Sequence, residues 1–229
     1  MLISLVLYGS RARGDHRMRS DVDLLGVIEG GAIQKGGAKR GTNLHLYPFH
    51  YLKHQSLKGN LFLLHLTHEG IVLHDPLDTF EQVQEAFRFK RSYAKEVREA
   101  SAVIWYALQP RFDQSMLIVR RRLVWAIRTI LIARSAEERQ VNFSSKSLEA
   151  FSGFSGLKHV IDNRNVEDID LLVFASKTIA RRHGYSARRI DLSRQYIEDE
   201  AITKFGRIAA STAASLGGGK SQYLAFHYE

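Results

Sequence analysis

The sequence predicts an α+β protein in which a small mixed-sheet unit is followed by an antiparallel helical bundle. Short apolar runs alternate with glycine-rich turns as far as Pro76, which is typical of strands. Beyond Pro76 the apolar residues recur about every 3.6 positions, which is typical of amphipathic helices. We therefore expect two domains, at residues 1–76 and 77–229, and a chain of 229 residues is long enough for both to bury a core.

The first domain is predicted to contain three strands, because its apolar runs are short and bounded by turn residues. The predicted elements are strands at 2–8, 21–28 and 44–51, a glycine-rich loop at 29–43, a short helix at 56–70 and an extended segment at 71–76. Gly9 and Ser10 end the first strand in a sharp turn, and Gly70 closes the helix. Pro76 ends the extended segment and marks the boundary.

The second domain is predicted to be a bundle of helices. The first helix runs from Phe80 to Leu108, where apolar residues keep helical spacing until Pro110. Further helices are predicted at 112–135, 145–152, 166–183 and 191–215. Ser144 or Ser145 is the expected cap of the helix at 145–152, since a serine side chain can accept hydrogen bonds from the first free amides.

Asp21 and Asp23 are the clearest chemical signal in the sequence. Side chains alternate along a strand, so both carboxylates project to one side while Val22 and Leu24 point to the core. Two carboxylates so close repel each other unless a cation lies between them. Oxygen ligands in a chain without cysteine suit Mg²⁺ or Mn²⁺, so we predict a divalent metal site at these two residues.

Gly9 and Ser10 give the end of the first strand the features of an anion site. Gly9 permits close approach of the backbone, and Ser10 offers a hydroxyl and an amide to an anion. The stretch between Ser10 and Asp21 is long enough to return the chain to a neighbouring strand. The sequence therefore predicts a phosphate-binding turn beside a pair of metal-binding carboxylates.

The stretch GSRARGD…SDVDLL resembles the polymerase β-type nucleotidyltransferase superfamily, and especially its small bacterial members, the minimal and aminoglycoside nucleotidyltransferases. The strong resemblance covers about 20 residues, and a weaker one extends to residue 76. It implies attack of a hydroxyl on the α-phosphate of a nucleoside triphosphate, with ATP preferred, and release of pyrophosphate. Such a reaction uses two divalent metal ions, here Mg²⁺ or Mn²⁺.

The resemblance also implies roles for individual residues. By position, Gly9 and Ser10 would bind the triphosphate, and Asp21 and Asp23 would ligate the metals. Two further candidates for nucleotide binding, Arg11 and Arg13, lie in the intervening loop, where solvated side chains are an equally good interpretation.

One feature of the superfamily is missing from this sequence. Active members usually carry a third carboxylate on a following strand, whereas the strand that starts at Asn43 has no acidic residue. By alternation, His45 or Tyr47 would face the site, and His45 is a catalytic candidate as a neutral base or a metal ligand. Alternatively, an acidic residue from another segment of the chain supplies the third carboxylate. The available acids are Glu29, Glu69 and Asp75. Relatives also commonly have a helix before the first strand, and this chain starts on the strand.

The charge balance bears on the acceptor of the transferred group. Thirty-three Lys and Arg residues against 24 Asp and Glu give a net charge of +9, which attracts polyanions and repels polycations. We therefore rank a nucleic acid (RNA in particular), a nucleotide or a protein above an aminoglycoside as acceptor. Two groups of arginines would form either a solvated face or a surface for polyanions, one at 120–122 and one at 181, 182, 188, 189 and 194 around the 184–190 turn.

Cysteine content and histidine spacing bear on the cellular compartment and on the choice of metal. The absence of cysteine fits a reducing compartment, which favours a cytoplasmic protein, and no apolar run is long enough to span a membrane. His65, His68 and His74 lack a fourth ligand at a recognised spacing, so zinc is disfavoured.

A homodimer through the apolar bundle is also expected. The competing hypothesis is a catalytically lapsed transferase that binds nucleotides or a partner.

Overall fold

The computed structural model describes residues 1–18, 20–36, 41–109, 116–163 and 169–187, which form two compact units. The first unit is Met1–Lys90, and the second contains the described residues from Arg91 onward. Within these ranges the first unit combines a mixed sheet with helices and the second is helical, so the predicted α+β class is confirmed. The boundary at Pro76 stays a prediction.

The first unit alternates strands and helices along the chain. Its elements are β1 (Leu2–Tyr8), α1 (Ser10–Arg13), β2 (Val22–Ile28), β3 (Gln34–Lys35), β4 (Thr42–Pro48), α2 (Phe49–Leu57), α3 (Leu61–Glu69), β5 (Ile71–His74) and α4 (Thr79–Glu85). The predicted helix at 56–70 is divided, because Asn60 begins α3 by accepting hydrogen bonds from the amides of Phe62 and Leu63. A side-chain cap of this kind starts a new helix where the backbone turns.

The described strands form one sheet in the order β3-β4-β2-β1-β5. β2 and β4 run parallel, and the other neighbouring pairs are antiparallel. In the resulting register Tyr8 lies opposite Asp23 on one side, and Asn43 lies opposite Asp23 on the other. The end of β1 and the beginnings of β2 and β4 therefore meet at one edge of the sheet.

One face of this sheet carries the core of the first unit, and it is the face of Asp23. The prediction that Val22 and Leu24 point to the core is therefore wrong. Val6, Leu25 and Val27 are completely buried there, and the cluster also contains Tyr8, Tyr47 and side chains from α2, α3 and α4. The opposite face carries a row in which Leu7, Leu24 and Leu44 are cross-strand neighbours. Leu44 in this row is 37% exposed.

The second unit is built from helices in its described ranges. They are α5 (Ala94–Ala107), α6 (Met116–Glu137), α7 (Ser145–Ser152), α8 (Leu157–Asp162) and α9 (Ile169–Arg182). Ser144 caps α7 through a 3.0 Å hydrogen bond from the amide of Ser147, as the sequence predicted. The predicted helix at 191–215 and the arginines at 188, 189 and 194 lie outside the described residues. None of the described helices is both long and apolar enough to cross a membrane.

The single helix predicted from Phe80 to Leu108 is wrong. The structure has two helices, α4 and α5, which end and begin on either side of residues 86–93. Backbone groups in this stretch bond elsewhere: the amide of Arg88 donates to the carbonyl of Ser56, and the amide of Tyr93 donates to Glu137. Helical spacing continues through the gap, but these tertiary hydrogen bonds replace the intrahelical ones.

Glu137 at the end of α6 holds the start of α5. Its Oε1 accepts a 2.6 Å hydrogen bond from the amide of Tyr93, and its Oε2 pairs with Nη1 of Arg134 at 2.7 Å. Partial burial opposes ionisation of Glu137, but Arg134, the Tyr93 amide and the Ser92 hydroxyl outweigh it and lower the pKa of the carboxyl. The carboxylate therefore stabilises the folded state at neutral pH.

We expect Glu137→Gln to lower the free energy of unfolding by about 1–2 kcal/mol at pH 7, because a charged acceptor of several hydrogen bonds is lost. The stabilisation is present above the ordinary pKa of Glu and is lost as the pH falls through the lower folded pKa. Urea unfolding of both proteins from neutral to acidic pH measures this difference. Glu138→Gln, at an exposed neighbouring position, is the control and should change little. A difference that grew on acidification would contradict the prediction.

Candidate functional site

Gly9 lies at the turn where β1 ends. Its backbone has φ 78° and ψ −156°, a combination that is accessible essentially to glycine alone. A Cβ at this position would lie 2.8 Å from Oδ2 of Asp23. Because glycine has no side chain, the backbone can adopt this turn and the Asp23 carboxylate can lie against it.

Arg11 ties this turn to the loop that leads into β2. It lies in α1, a single turn of four residues that Gly14 closes in the left-handed conformation. Nε and Nη2 of Arg11 donate to the carbonyl oxygen of Ser20 at 3.1 and 2.8 Å. Because Ser20 directly precedes Asp21, this bidentate contact fixes the chain just before the first carboxylate of the pair.

Arg13 points to α3 and is paired with two carboxylates. Its Nη1 pairs with Oε2 of Glu69 at 2.8 Å and lies 3.1 Å from Nε2 of His65, while its Nε pairs with Oδ2 of Asp15 at 3.0 Å. Burial opposes the charge, but Asp15 and Glu69 outweigh it and raise the pKa of the guanidinium. Both arginines are thus engaged within the protein, and their contact with phosphate stays a prediction.

Asp21 and Asp23 differ in environment although they are two positions apart. Asp21 is exposed just before β2, whereas Asp23 lies within β2 and is partly buried. Burial raises the pKa of the Asp23 carboxyl, as does the charge of Asp21, while the Asn43 amide and the imidazoles of His45 and His65 act in the opposite direction. A cation bound beside both carboxylates would relieve the repulsion that raises this pKa.

Asn43 faces Asp23 from the neighbouring parallel strand. Its Nδ2 donates a 3.0 Å hydrogen bond to Oδ1 of Asp23. Asn43 was not a predicted site residue, because alternation defines the face of a strand but not its register with the next strand. The parallel pairing of β2 with β4 is what places this amide opposite the carboxylate.

His45 and Tyr47 follow on the same side of β4, farther from the edge. His45 lies opposite Leu25 and is 1% exposed, and its imidazole acts to lower the pKa of Asp23. Tyr47 lies opposite Val27 in the core, stacked on Tyr51. The role of His45 as a base or metal ligand stays a prediction.

The three acids that could supply the third carboxylate each lie in a different environment. Asp75 accepts hydrogen bonds from the amides at the start of α4, so that it caps this helix. Glu69 is paired with Arg13 and His65. Glu29 is exposed and follows β2 at the end opposite Asp23.

The donors at this edge fit a hard divalent cation better than zinc. Asp21 and Asp23 supply carboxylate oxygens, and the amide of Asn43 would supply a third oxygen after rotation of its side chain. Within the described ranges, no group of three or more His, Cys, Asp or Glu side chains could hold a metal ion. A Mg²⁺ or Mn²⁺ site here would therefore use phosphate oxygens and water as its other ligands.

Comparison with known proteins identifies the first unit. Residues 2–88 match the family model described as the nucleotidyltransferase domain. They contain the described sheet and α1–α4, and they form a nucleotidyltransferase domain of the polymerase β-like superfamily. The family predicted from GSRARGD…SDVDLL is thereby confirmed.

One solved structure with which the chain aligns is a nucleotidyltransferase-like protein from Exiguobacterium sibiricum. The sequences are 11% identical, the TM-score is 0.35, and the alignment covers 79% of this chain and 68% of that one. No significant match was found among curated proteins.

Proposed function

We propose that this protein is a nucleotidyltransferase that moves a nucleoside monophosphate, AMP by preference, from a triphosphate to an acceptor hydroxyl, with Mg²⁺ or Mn²⁺ as cofactor. The observation that carries this proposal is the Asp21–Asp23 pair at the sheet edge, with Asp23 against the backbone of Gly9. The nucleotidyltransferase domain that spans residues 2–88 supports the same reaction class.

The residues of the edge have distinct proposed roles. Gly9 and Ser10 bind the triphosphate at the turn, and Asp21 and Asp23 ligate the metal. A bound divalent cation would neutralise charge on the transferred phosphoryl group and on the leaving pyrophosphate. Arg11 supports the geometry by fixing Ser20, the residue before Asp21.

The acceptor hydroxyl must lose a proton during the transfer, so the reaction needs a general base. Asn43 lies opposite Asp23 but its amide cannot accept a proton at neutral pH. His45 is the proposed base, because its imidazole follows Asn43 on the same face of β4. Its burial means that proton transfer would require a water molecule or a movement of β4.

The net charge of the protein supports a ranking of the acceptor classes. A protein with a net charge of +9 favours a polyanionic acceptor, so a nucleic acid such as RNA, a nucleotide or a protein ranks above a polycationic aminoglycoside. A cytoplasmic location and a homodimer stay predictions.

Incubation with each α-³²P-labelled nucleoside triphosphate and Mg²⁺ or Mn²⁺ tests the proposal. The acceptors are total RNA, a protein extract and a panel of aminoglycosides, and the control is the Asp21→Asn/Asp23→Asn protein. We expect label on one acceptor class with the wild type and none with the control. Transfer that persists in the control would overturn the proposed site.

A lapsed transferase that binds nucleotides is the second candidate, and Asn43 is the observation that favours it. The side chain that faces Asp23 across the parallel pair is an amide and not a carboxylate. Detectable binding of triphosphate without transfer to any acceptor would support this candidate over an active enzyme.

We expect Asn43→Asp to tighten Mn²⁺ binding by about tenfold or more, because a third carboxylate joins the pair and strengthens a hard-cation site. Transfer activity should rise as well, if it is limited by metal binding. Titration followed by Mn²⁺ electron paramagnetic resonance measures the affinity. Asn60→Asp, at the capping residue of α3, adds the same charge away from the edge and should leave Mn²⁺ binding unchanged. Weaker binding in Asn43→Asp would contradict the prediction.

A further inference from the structure

Three ionisable side chains meet between α1 and α3 with little exposure to solvent. The side chains of Arg13, His65 and Glu69 are 16%, 11% and 14% exposed. Oε2 of Glu69 contacts both Nη1 of Arg13 and Nε2 of His65. Groups buried to this extent lose hydration, so the contacts between them must compensate.

The cluster joins an intrinsically weak element to a rigid one. α1 is a single turn with no side-chain hydrogen bond at its N-terminus, and so short a helix is marginal without tertiary contacts. α3 is anchored by Phe62, Leu63 and Leu66, which are buried in the core. Arg13 is the last residue of α1 and Glu69 the last of α3, so their ion pair fastens one helix end to the other.

His65 extends this cluster toward the metal-binding edge. It lies one turn before Glu69 on α3, and its ring is edge-on to Tyr8 with centroids 6.1 Å apart. Tyr8 is opposite Asp23 in the sheet and directly precedes Gly9. The cluster therefore packs against both sides of the turn that is proposed to bind the triphosphate.

We propose that Glu69 is a positioning residue for the Gly9–Ser10 turn and acts through Arg13. This inference rests on the proposed function, since the value of a fixed turn is that its backbone meets the triphosphate without reorganising. Nε and Nη1 of Arg13 already bond to Asp15 and Glu69, which is the arrangement of a structural link rather than of a phosphate ligand. Removal of Glu69 leaves a largely buried guanidinium with one partner fewer, and the turn loses its anchor on α3.

A double-mutant cycle tests the link. We compare wild type, Arg13→Gln, Glu69→Gln and the double variant by the dissociation constant of Mg²⁺–ATP and by kcat and KM. Each single variant is expected to bind ATP about tenfold more weakly, and the double variant no more weakly than either single one, because both act through one contact. Loss of binding in Arg13→Gln together with wild-type binding in Glu69→Gln would overturn the proposal and make Arg13 a direct ligand.

Amide hydrogen exchange supplies a readout that does not depend on nucleotide. In Glu69→Gln without ligand, the amides of Arg13 and Gly14 should exchange about tenfold faster, because the bonds that close α1 open more often. Glu85→Gln, at an exposed position of α4, is the matched control and should exchange as wild type does. Unchanged exchange in Glu69→Gln would overturn the positioning role. A wild type that binds no triphosphate would instead refute the proposed function, and this exchange measurement distinguishes the two failures.

Discussion

Asp23→Asn is expected to reduce nucleotidyl transfer by roughly a thousandfold or more, while the protein without metal becomes more resistant to unfolding. Activity is lost because an amide cannot replace a carboxylate that neutralises and orients a divalent cation. The stability effect has the opposite sign, because burial and the neighbouring Asp21 make the ionised carboxylate unfavourable in the folded state. The hydrogen bond from Asn43 has an acceptor in either side chain, so the local structure is retained.

The pH dependence of this stability difference follows from the raised pKa of Asp23. Below the ordinary pKa of Asp the carboxyl is protonated in both folded and unfolded chains, and the variant should be no more stable than wild type. As the pH rises through the ordinary pKa toward the higher folded pKa, the wild type loses stability relative to the variant. Thermal unfolding without divalent metal, from acidic to neutral pH, measures this difference.

The control for this experiment is Asp78→Asn. Asp78 is exposed and left-handed at φ 51°, a conformation that asparagine also tolerates. It should keep wild-type transfer and show little change in stability. Full activity in Asp23→Asn would remove this residue from the site, and a lower stability at neutral pH would contradict the electrostatic account.

Gly9→Ala is the second substitution with a large expected effect. Its φ and ψ strain any residue with a side chain, and the added Cβ would lie 2.8 Å from Oδ2 of Asp23. We expect a loss of about 1–3 kcal/mol in the free energy of unfolding from the backbone conformation. We also expect transfer to fall by roughly a hundredfold or more, because small displacements of reacting groups are costly.

Gly14→Ala separates the two causes. Gly14 also has a positive φ, 76°, but nothing lies within 4 Å of the position that its Cβ would occupy. This variant should lose about 1 kcal/mol of stability and keep most of its activity, since no contact with Asp23 is created. Urea unfolding and the labelled transfer assay on both variants provide the comparison. Equal activity losses in the two variants would show that backbone strain, not the Asp23 contact, limits transfer.

Local patterns in the sequence predicted the parts of the site that depend on local geometry. Alternation placed Asp21 and Asp23 on one face of the strand, and Gly9 marked the turn. It assigned the core to the wrong face, because Leu25 is buried in the core and Leu24 is not. The position of Asn43 could not be predicted, because the register between β2 and β4 depends on long-range pairing. The same holds for Arg13, whose partner Glu69 is 56 positions away along the chain.

Helix boundaries show the same division between local and long-range information. Ser144 was identifiable as a cap because its hydrogen bond reaches only three residues along the chain. The break between α4 and α5 was not, because the acceptor of the Tyr93 amide is Glu137, which lies 44 positions farther on. Periodicity reports which side of an element is apolar, and tertiary hydrogen bonds decide where that element stops.

The parallel pairing of β2 with β4 also determines where this domain can vary in length. Residues added or removed in the connection between Ile28 and Thr42, outside β3, leave the pairing of Asp23 with Asn43 intact, so these parts of the connection can vary among related proteins. A single residue inserted between Asn43 and His45 would turn either the amide or the buried imidazole to the opposite face. We therefore expect insertions and deletions to accumulate in the connection and to be eliminated by selection from β4.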